Sequence, residues 1–252
     1  IVYELPLVFE KQGLGEYLCN LLRLPRMKYI PKLYSEWEQL VMLFKSPREY
    51  VKIAMPGKYT MIADSYISIN EALKHAGAHN SVKVKIRWLE TEIFEEDPGK
   101  MDELLKDVDG ILLTPGFGSR GVEGMIATAE YAMERKIPFL GICFGAQLFF
   151  VAFCRKVLGL KGANSTEVNP NTPYPVVDLL PEQRRVKAKG GTMRLGGHVV
   201  VIRKGTKLYQ AYKREKIVER FRHRYHIIPE YVTRAEEAGF VVTAVDATGR
   251  II

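Results

Sequence analysis

Cysteine is nearly absent from this sequence: Cys19, Cys143 and Cys154 are the whole supply, and no two of them form a CxxC pair. So small and odd a set excludes a disulfide framework and a cysteine-based zinc site, leaves no metal site encoded, and suits a reducing cytoplasm. No stretch after the opening "IVYELPL" reads as a signal peptide, which supports the same expectation. Charge of one sign is not concentrated either. The formal balance is +8, yet the basic residues are scattered, which favours small anionic partners such as nucleotides and argues against nucleic acid. An unbroken hydrophobic run is missing as well. "PFLGICFGAQLFFVAFC", residues 138 to 154, nears the length of a short membrane span, but Gln147 and two glycines interrupt it. It begins like a buried strand and continues like a buried helix, so it is expected in a core and not in a membrane. Repeats and low-complexity tracts are lacking too. What is left is ordinary globular material: 47% hydrophobic, 26% charged, and at 252 residues long enough for one large domain or one domain with a fragment of another.

The first 49 residues differ from the rest. "LGEYLCNLLRL" and "YSEWEQLVMLF" read as two short amphipathic helices with Pro25 and Pro31 between them. Neither can bury its apolar face alone, so residues 1–49 are expected to belong to another body, with a separate domain over 50–252. From residue 50 strands and helices alternate. "YVKIAM" is a strand, and "DSYISINEALKHAG" is a helix capped by Asp64 and stopped by Gly77. "SVKVKIRWLE" and "DGILLTPG" are strands, "VEGMIATAEYAMERK" a helix, "IPFLGI" a strand and "FGAQLFFVAFCRKVLG" a helix. This alternation predicts an α/β fold, with a mostly parallel central sheet covered by helices on both faces. After "NSTEVNPNTPYPVVDLLPEQ" the pattern changes. "GGTMRLGGHVVVIRK" and "GFVVTAVDATGRII" read as strands of a smaller, antiparallel sheet, with the helix "PEYVTRAEEAG" between them.

In open α/β sheets, ligands bind at the carboxyl ends of the strands. Cys143 sits at such an end, where "PFLGI" turns into the next helix, with Gly141 two residues before it and Gly145 two after. This G-x-C-x-G spacing is the cysteine counterpart of a nucleophile elbow, in which small neighbours let strand and helix cross closely. The helix N-terminus would favour thiolate, and the amide of Phe144 would point at an oxyanion. The bland alternative is a buried structural cysteine, and Cys154 illustrates it. It lies eleven residues on, about 16 Å along the helix, with no glycines and no strand end beside it. A second glycine turn, "TPGFGSRG" at 114 to 121, follows another strand end and offers further amides. "PGKYT" at 56 to 60 fails as a phosphate loop, since Tyr59 stands where Ser or Thr is needed, and reads as a plain turn.

Taken together, "PGFGSRGVEGMI", "GICFGAQ", "NSTEVNPNTPYPVVDLLPEQ", "GGTMRLG" and "RFRHRYHIIPEY" resemble the triad, or class I, glutamine amidotransferases, and within them the glutaminase part of the CTP synthases. Even "YELPLVFEKQGLGEYL" and "SEWEQLV" look like the end of that family's synthetase domain and its interdomain linker, which gives residues 1–49 a place. The resemblance implies a flavodoxin-like scaffold and a mechanism in which Cys143 attacks the side-chain amide of glutamine to form a thioester. It assigns the oxyanion to amides of Gly116 or Phe117 and of Phe144. Glutamine contacts fall on Gly116, Phe144, Gly145, Ala146, Gln147, Glu167 and Arg224. Taken bare, Glu167, Arg222 and Arg224 would pass as solvated surface charges. The released ammonia would serve a synthetase domain that uses ATP, Mg²⁺ and UTP to make CTP. GTP would be the activator, with "GGTMRLG" a lid near its site, and the whole enzyme a cytoplasmic homo-oligomer, a tetramer in the family.

One departure stands against this pattern. The family's general base is a histidine followed two residues later by glutamate, in an H-P-E segment near the C-terminus. The five histidines here, His75, His79, His198, His223 and His226, all lack that glutamate, and "HIIPE" spaces it four residues from His226. The sequence ends at "ATGRII", where that segment would follow. Three expectations stay open: a chain cut short, a last segment outside the residues given, or a protein without the dyad. The missing methionine at position 1 favours the first two. Two other functions compete with a glutaminase. One is a non-catalytic regulatory or assembly module of the same fold. The other is a cysteine hydrolase sharing only the elbow, against which Glu167 and "RHRY" argue, because a general hydrolase needs no amino-acid clamp.

Overall fold

The computed structural model describes residues 1–25, 31–46, 49–180, 183–184 and 194–249. It divides into two compact units, Ile1–Lys52 with Ala63–Lys85, and Ile53–Ile62 with Ile86–Ile252.

The first unit is helical. A 3-10 turn, Val2–Glu4, leads into α1 (Leu5–Lys11), whose Pro6 sits in the first turn, where a missing N–H costs nothing. Gly13, at φ 71°, turns the chain into α2 (Leu14–Leu21); α3 (Pro31–Lys45) and α4 (Ile67–His79) follow. The Tyr3 ring stacks on Phe44 at 4.5 Å, its carbonyl accepts from Trp37 Nε1 at 2.8 Å, and its hydroxyl meets Glu71 and His75. Those contacts tie the opening turn to α3 and α4. By contrast, α1 and α2 bury none of their residues, and Phe9, Tyr17 and Leu21 are exposed. The helix expected from Asp64 to Gly77 is displaced. Asp64 lies in a 3-10 turn, Ala63–Tyr66, Tyr66 precedes α4 without a side-chain cap, and the helix runs past Gly77 to His79. A Cβ on Gly77 would stand 2.8 Å from the Val82 carbonyl, so this glycine serves close packing and not helix termination.

The second unit holds the C-terminal halves of β1 (Glu49–Gly57) and β2 (Val82–Glu90), with β3 (Gly110–Leu113) and β4 (Phe139–Gly141). The sheet order is β2-β1-β3-β4, and β3 pairs in parallel with both β1 and β4. All four residues of β3 are buried, as a strand covered on both faces requires. Helix α7 (Val122–Arg135) follows β3, and α8 (Phe144–Lys156) follows β4 and packs on α7. Leu113, Met125, Ile126, Phe144, Leu148 and Val151 join in one core, and Ala54, Leu89, Phe94, Leu105 and Ile111 in a second. Burial of each of the larger of these side chains stabilises the fold by roughly 1.5–3 kcal/mol. The short helices α5 (Glu92–Glu96) and α6 (Lys100–Leu105) were not anticipated from the pattern.

The fold is thus α/β, a parallel sheet flanked by helices, with two smaller sheets beside it. One is mixed: β5 (Ala163–Ser165) runs parallel to β6 (Tyr174–Leu179), and β9 (Tyr225–Ile227) antiparallel to it. The other is antiparallel, with β7 (Arg194–Ile202) between β8 (Lys216–His223) and β10 (Ala244–Asp246). The helices α9 (Lys207–Tyr212) and α10 (Pro229–Glu237) complete the chain. The strand expected over 239–252 shrinks to β10 among the described residues. Asp246 ends it by accepting the Thr248 N–H at 2.9 Å, a side-chain turn that competes with the ladder. Of "GGTMRLG", residues 190–193 lie outside the described residues and Arg194 opens β7. The apolar run 138–154 forms β4 and α8, and among the described residues no helix is long and apolar enough to cross a membrane.

Candidate active site

Two strand-to-helix turns stand at the carboxyl ends of neighbouring strands, one after β3 and one after β4. In the second, Cys143 precedes α8 with φ 53° and ψ −110°, a conformation that costs a non-glycine residue roughly 1–3 kcal/mol. Packing holds it there. The Ile142 N–H donates to the Leu113 carbonyl at 3.1 Å, and the Gly145 N–H to the Ile142 carbonyl at 3.0 Å. A Cβ on Gly141 would lie 2.7 Å from the Ala146 nitrogen, and one on Gly145 only 2.3 Å from the Leu113 oxygen. Both flanking glycines therefore mark places where backbone crosses backbone.

The Cys143 side chain reaches solvent, and its sulfur donates to the Arg222 carbonyl at 3.9 Å. Desolvation by the surrounding walls pushes its thiol above the ordinary range, the Phe144 N–H opposes that rise, and the Glu167 charge adds to it. This corrects the expectation of a thiolate favoured by the helix N-terminus. One amide reaches the sulfur, while desolvation and a neighbouring carboxylate act the other way. Cys154 is fully buried in α8, its thiol pushed up to about 12 by desolvation.

The turn after β3 carries Gly116 and the exposed Phe117, followed by Gly118 at φ 72°. A Cβ on Gly116 would touch the Phe144 ring at 3.6 Å, so the candidate oxyanion residues of the two turns adjoin. Glu167, just after β5, accepts the Gly118 N–H on Oε1 at 3.0 Å. Desolvation raises the Tyr225 hydroxyl above its ordinary range, the Glu167 charge adds to that, and Arg224 opposes it. Gln147 Nε2 donates to the Tyr225 carbonyl at 2.9 Å, tying α8 to β9. Gly145 is buried and Ala146 exposed on the first turn of α8. Arg224 lies between β8 and β9, its carbonyl accepting from the Leu180 N–H at 2.9 Å. Of the histidines, His75 meets the Tyr3 hydroxyl, His198 the Leu195 carbonyl at 3.0 Å and His223 the Tyr225 carbonyl at 2.7 Å. His226 is buried in β9.

A nucleophile elbow facing a glycine turn is a geometry shared by several hydrolytic families, and comparison with known proteins decides among them. The family profile described as "Glutamine amidotransferase class-I" matches residues 61–252. The chain belongs to this family. It is similar to the CTP synthase of Pyrococcus abyssi, 53% identical over 243 residues that cover 96% of this chain and 44% of that protein. With the CTP synthase of Sulfurisphaera tokodaii the identity is 47% over 251 residues, 100% of this chain and 46% of that one. Among solved structures it resembles the Trypanosoma brucei CTPS glutaminase domain with bound acivicin. There the TM-score is 0.74 at 32% identity, covering 80% of this chain and 79% of that one. The chain spans less than half the length of the curated relatives it matches.

One residue beside these two turns escaped the sequence reading. Lys58, from the supposedly plain turn "PGKYT", is buried at 2% exposure and donates to the carbonyls of Phe117 at 2.8 Å and Gly118 at 2.7 Å. Its ammonium also stands 4.9 Å from the centre of the Phe144 ring. The available signal was a lysine placed directly after the apolar run "IAMPG", where a core strand ends.

Proposed function

We propose that the chain is the glutaminase part of a CTP synthase, hydrolysing glutamine through a Cys143 thioester and supplying ammonia to a synthetase domain. The observation that carries this is Cys143 held at positive φ on the elbow, with the Phe144 N–H at its sulfur and the Phe144 ring against Gly116 of the other turn. Once a base removes the thiol proton, the sulfur attacks the side-chain amide carbon of glutamine. The new C–S bond pushes electrons onto the carbonyl oxygen, which the amides of Gly116 or Phe117 and of Phe144 receive. Collapse breaks the C–N bond, the nitrogen takes a proton and leaves as ammonia, and water releases glutamate from the thioester. Glu167 suits the ammonium of the substrate and Arg224 its carboxylate. Gly145, Ala146 and Gln147 form the adjoining wall. No histidine of this sequence is followed two residues later by glutamate, so the base is not assigned within it.

Residues 1–49 fit the tail of the synthetase domain and its linker, supported by the unburied α1 and α2. ATP, Mg²⁺ and UTP would act in that domain, GTP would activate, and we place the enzyme in the cytoplasm as a homo-oligomer. A second reading, a non-catalytic module of the same fold, draws support from the raised Cys143 thiol.

The test is intact mass after incubation with acivicin, together with CTP formation from glutamine or from ammonia. We expect one adduct, lost in Cys143→Ala, which also loses glutamine-dependent synthesis and keeps ammonia-dependent synthesis. An adduct with no glutamine turnover in the wild type favours the non-catalytic module. Loss of both activities in a folded Cys143→Ala protein contradicts the division into two sites.

A further inference from the structure

We infer that Lys58 is a positioning residue of the glutamine-hydrolysing step, acting by gripping the backbone of the Gly116–Gly118 turn; this rests on the glutaminase reading above. A buried ammonium is costly unless hydrogen bonds and charge replace its water. Here the replacement is specific. Two of its three protons go to the carbonyls of Phe117 and Gly118, at 2.8 and 2.7 Å. The Phe117 carbonyl and the Gly118 N–H are opposite ends of one planar peptide. Lys58 holds the first, and Glu167 holds the second at 3.0 Å.

That double grip matters because it falls on the most permissive part of the turn. Gly116 and Gly118 bracket Phe117, and glycine permits peptide orientations that other residues forbid. The Phe117 side chain gives little help, being 65% exposed. A rotated peptide would carry its neighbours' amides away from where an oxyanion forms, and oxyanion stabilisation depends on donors already in place. A lysine that merely filled space would show no preference among acceptors. Both of these bonds fall on the turn that faces Phe144 across the site.

Charge adds a second handle. Desolvation lowers the Lys58 pKa to about 8, Glu167 opposes this, Arg120 adds to it, and Glu95 and Glu92 oppose it. Its cation is therefore present at neutral pH and lost as pH rises through about 8, which turns charge-assisted bonds into weaker neutral ones. Arginine at this position would keep its charge throughout.

The experiment compares Lys58→Met and Lys58→Arg with the wild type in the whole protein that contains this chain. It measures glutamine hydrolysis and amide exchange over residues 114–121. We expect kcat in Lys58→Met to fall by about 10- to 100-fold, within the range for a disturbed oxyanion hole, with KM changed far less. Exchange at the turn should quicken in the same variant. Lys58→Arg should restore much of kcat and lack the alkaline decline of the wild type. A folded Lys58→Met protein with wild-type kcat, or with wild-type exchange, overturns the inference. Should Lys58→Met fail to fold, a Lys58→Arg profile that keeps the alkaline decline overturns it, and one that loses the decline supports it. A wild type that hydrolyses no glutamine overturns the glutaminase reading, and is told apart because the exchange comparison still reports whether Lys58 grips the turn.

Discussion

The turn after β4 and the turn after β3 stand side by side and are held in opposite ways. The first is fixed by crowding: Gly141 and Gly145 lie against other backbone, and Cys143 takes a strained φ of 53° between them. In the second, no heavy atom of the described residues lies within 4 Å of where Gly118 would place a Cβ, and Gly116 has ordinary contacts at 3.6 and 3.7 Å. Polar bonds with Lys58 and Glu167 hold its middle, and crowding returns only at its far end, where a Cβ on Gly121 would lie 2.7 Å from Thr91 Oγ1. The difference matches the tasks we propose for them. A nucleophile must stand at one point, which steric contact secures. Oxyanion donors must be aimed, and hydrogen bonds to their own peptides aim them.

If crowding holds the elbow, the largest effect should come from Gly145→Ala. Its Cβ would meet the Leu113 oxygen at 2.3 Å and the Leu113 carbon at 2.8 Å, both backbone atoms that cannot rotate away. We expect destabilisation at or beyond the upper end of the about 1–3 kcal/mol usual for overpacking, read as a fall in denaturation midpoint. Wild-type stability would mean that strand and helix separate easily, and the contrast between the turns would collapse. Gly116 should behave differently. Gly116→Ala keeps the amide and finds room, so stability should hardly change. Gly116→Pro removes one N–H, and if that N–H receives the oxyanion, kcat should drop about 100-fold or more, near 3 kcal/mol. An unchanged rate in Gly116→Pro would pass the donor role to Phe117.

The elbow was legible because its parts are contiguous: strand end, glycine, cysteine, glycine and helix follow within a few residues, although only Gly141 answers to a local clash and Gly145 to the neighbouring strand. The parallel sheet was legible for a related reason, since its strands are apolar or alternating runs, and α4 and α7 between them are long enough to show a helical period. What stayed hidden was either short or distant. The five residues of α5 and the six of α6 are too few to show a helical period. Lys58 binds carbonyls 59 and 60 residues along the chain, and a sequence motif does not reveal partners brought together by strand order. The thiol's upward shift was missed likewise. The helix end is visible in "GICFGAQ", whereas the desolvating walls and Glu167 arrive from other elements.

That last point yields the smallest predicted effect and the sharpest link between the two turns. Glu167 grips the oxyanion turn through Gly118 and also raises the Cys143 thiol, so one carboxylate acts on both. In Glu167→Gln an amide oxygen remains to accept from Gly118, while the negative charge is gone. The folded thiol should then ionise more readily, and alkylation of Cys143 by iodoacetamide, followed by peptide mass, should quicken near neutral pH because thiolate is the reactive form. The gain should vanish at alkaline pH, where both proteins hold thiolate. It concerns charge alone, so it should appear without faster amide exchange over residues 114–121. An alkylation rate equal to the wild type at every pH would show that the carboxylate does not reach the sulfur. Quickened exchange in the same variant would show that the grip on Gly118 needs the charge, and would make the two turns less independent than their contacts imply.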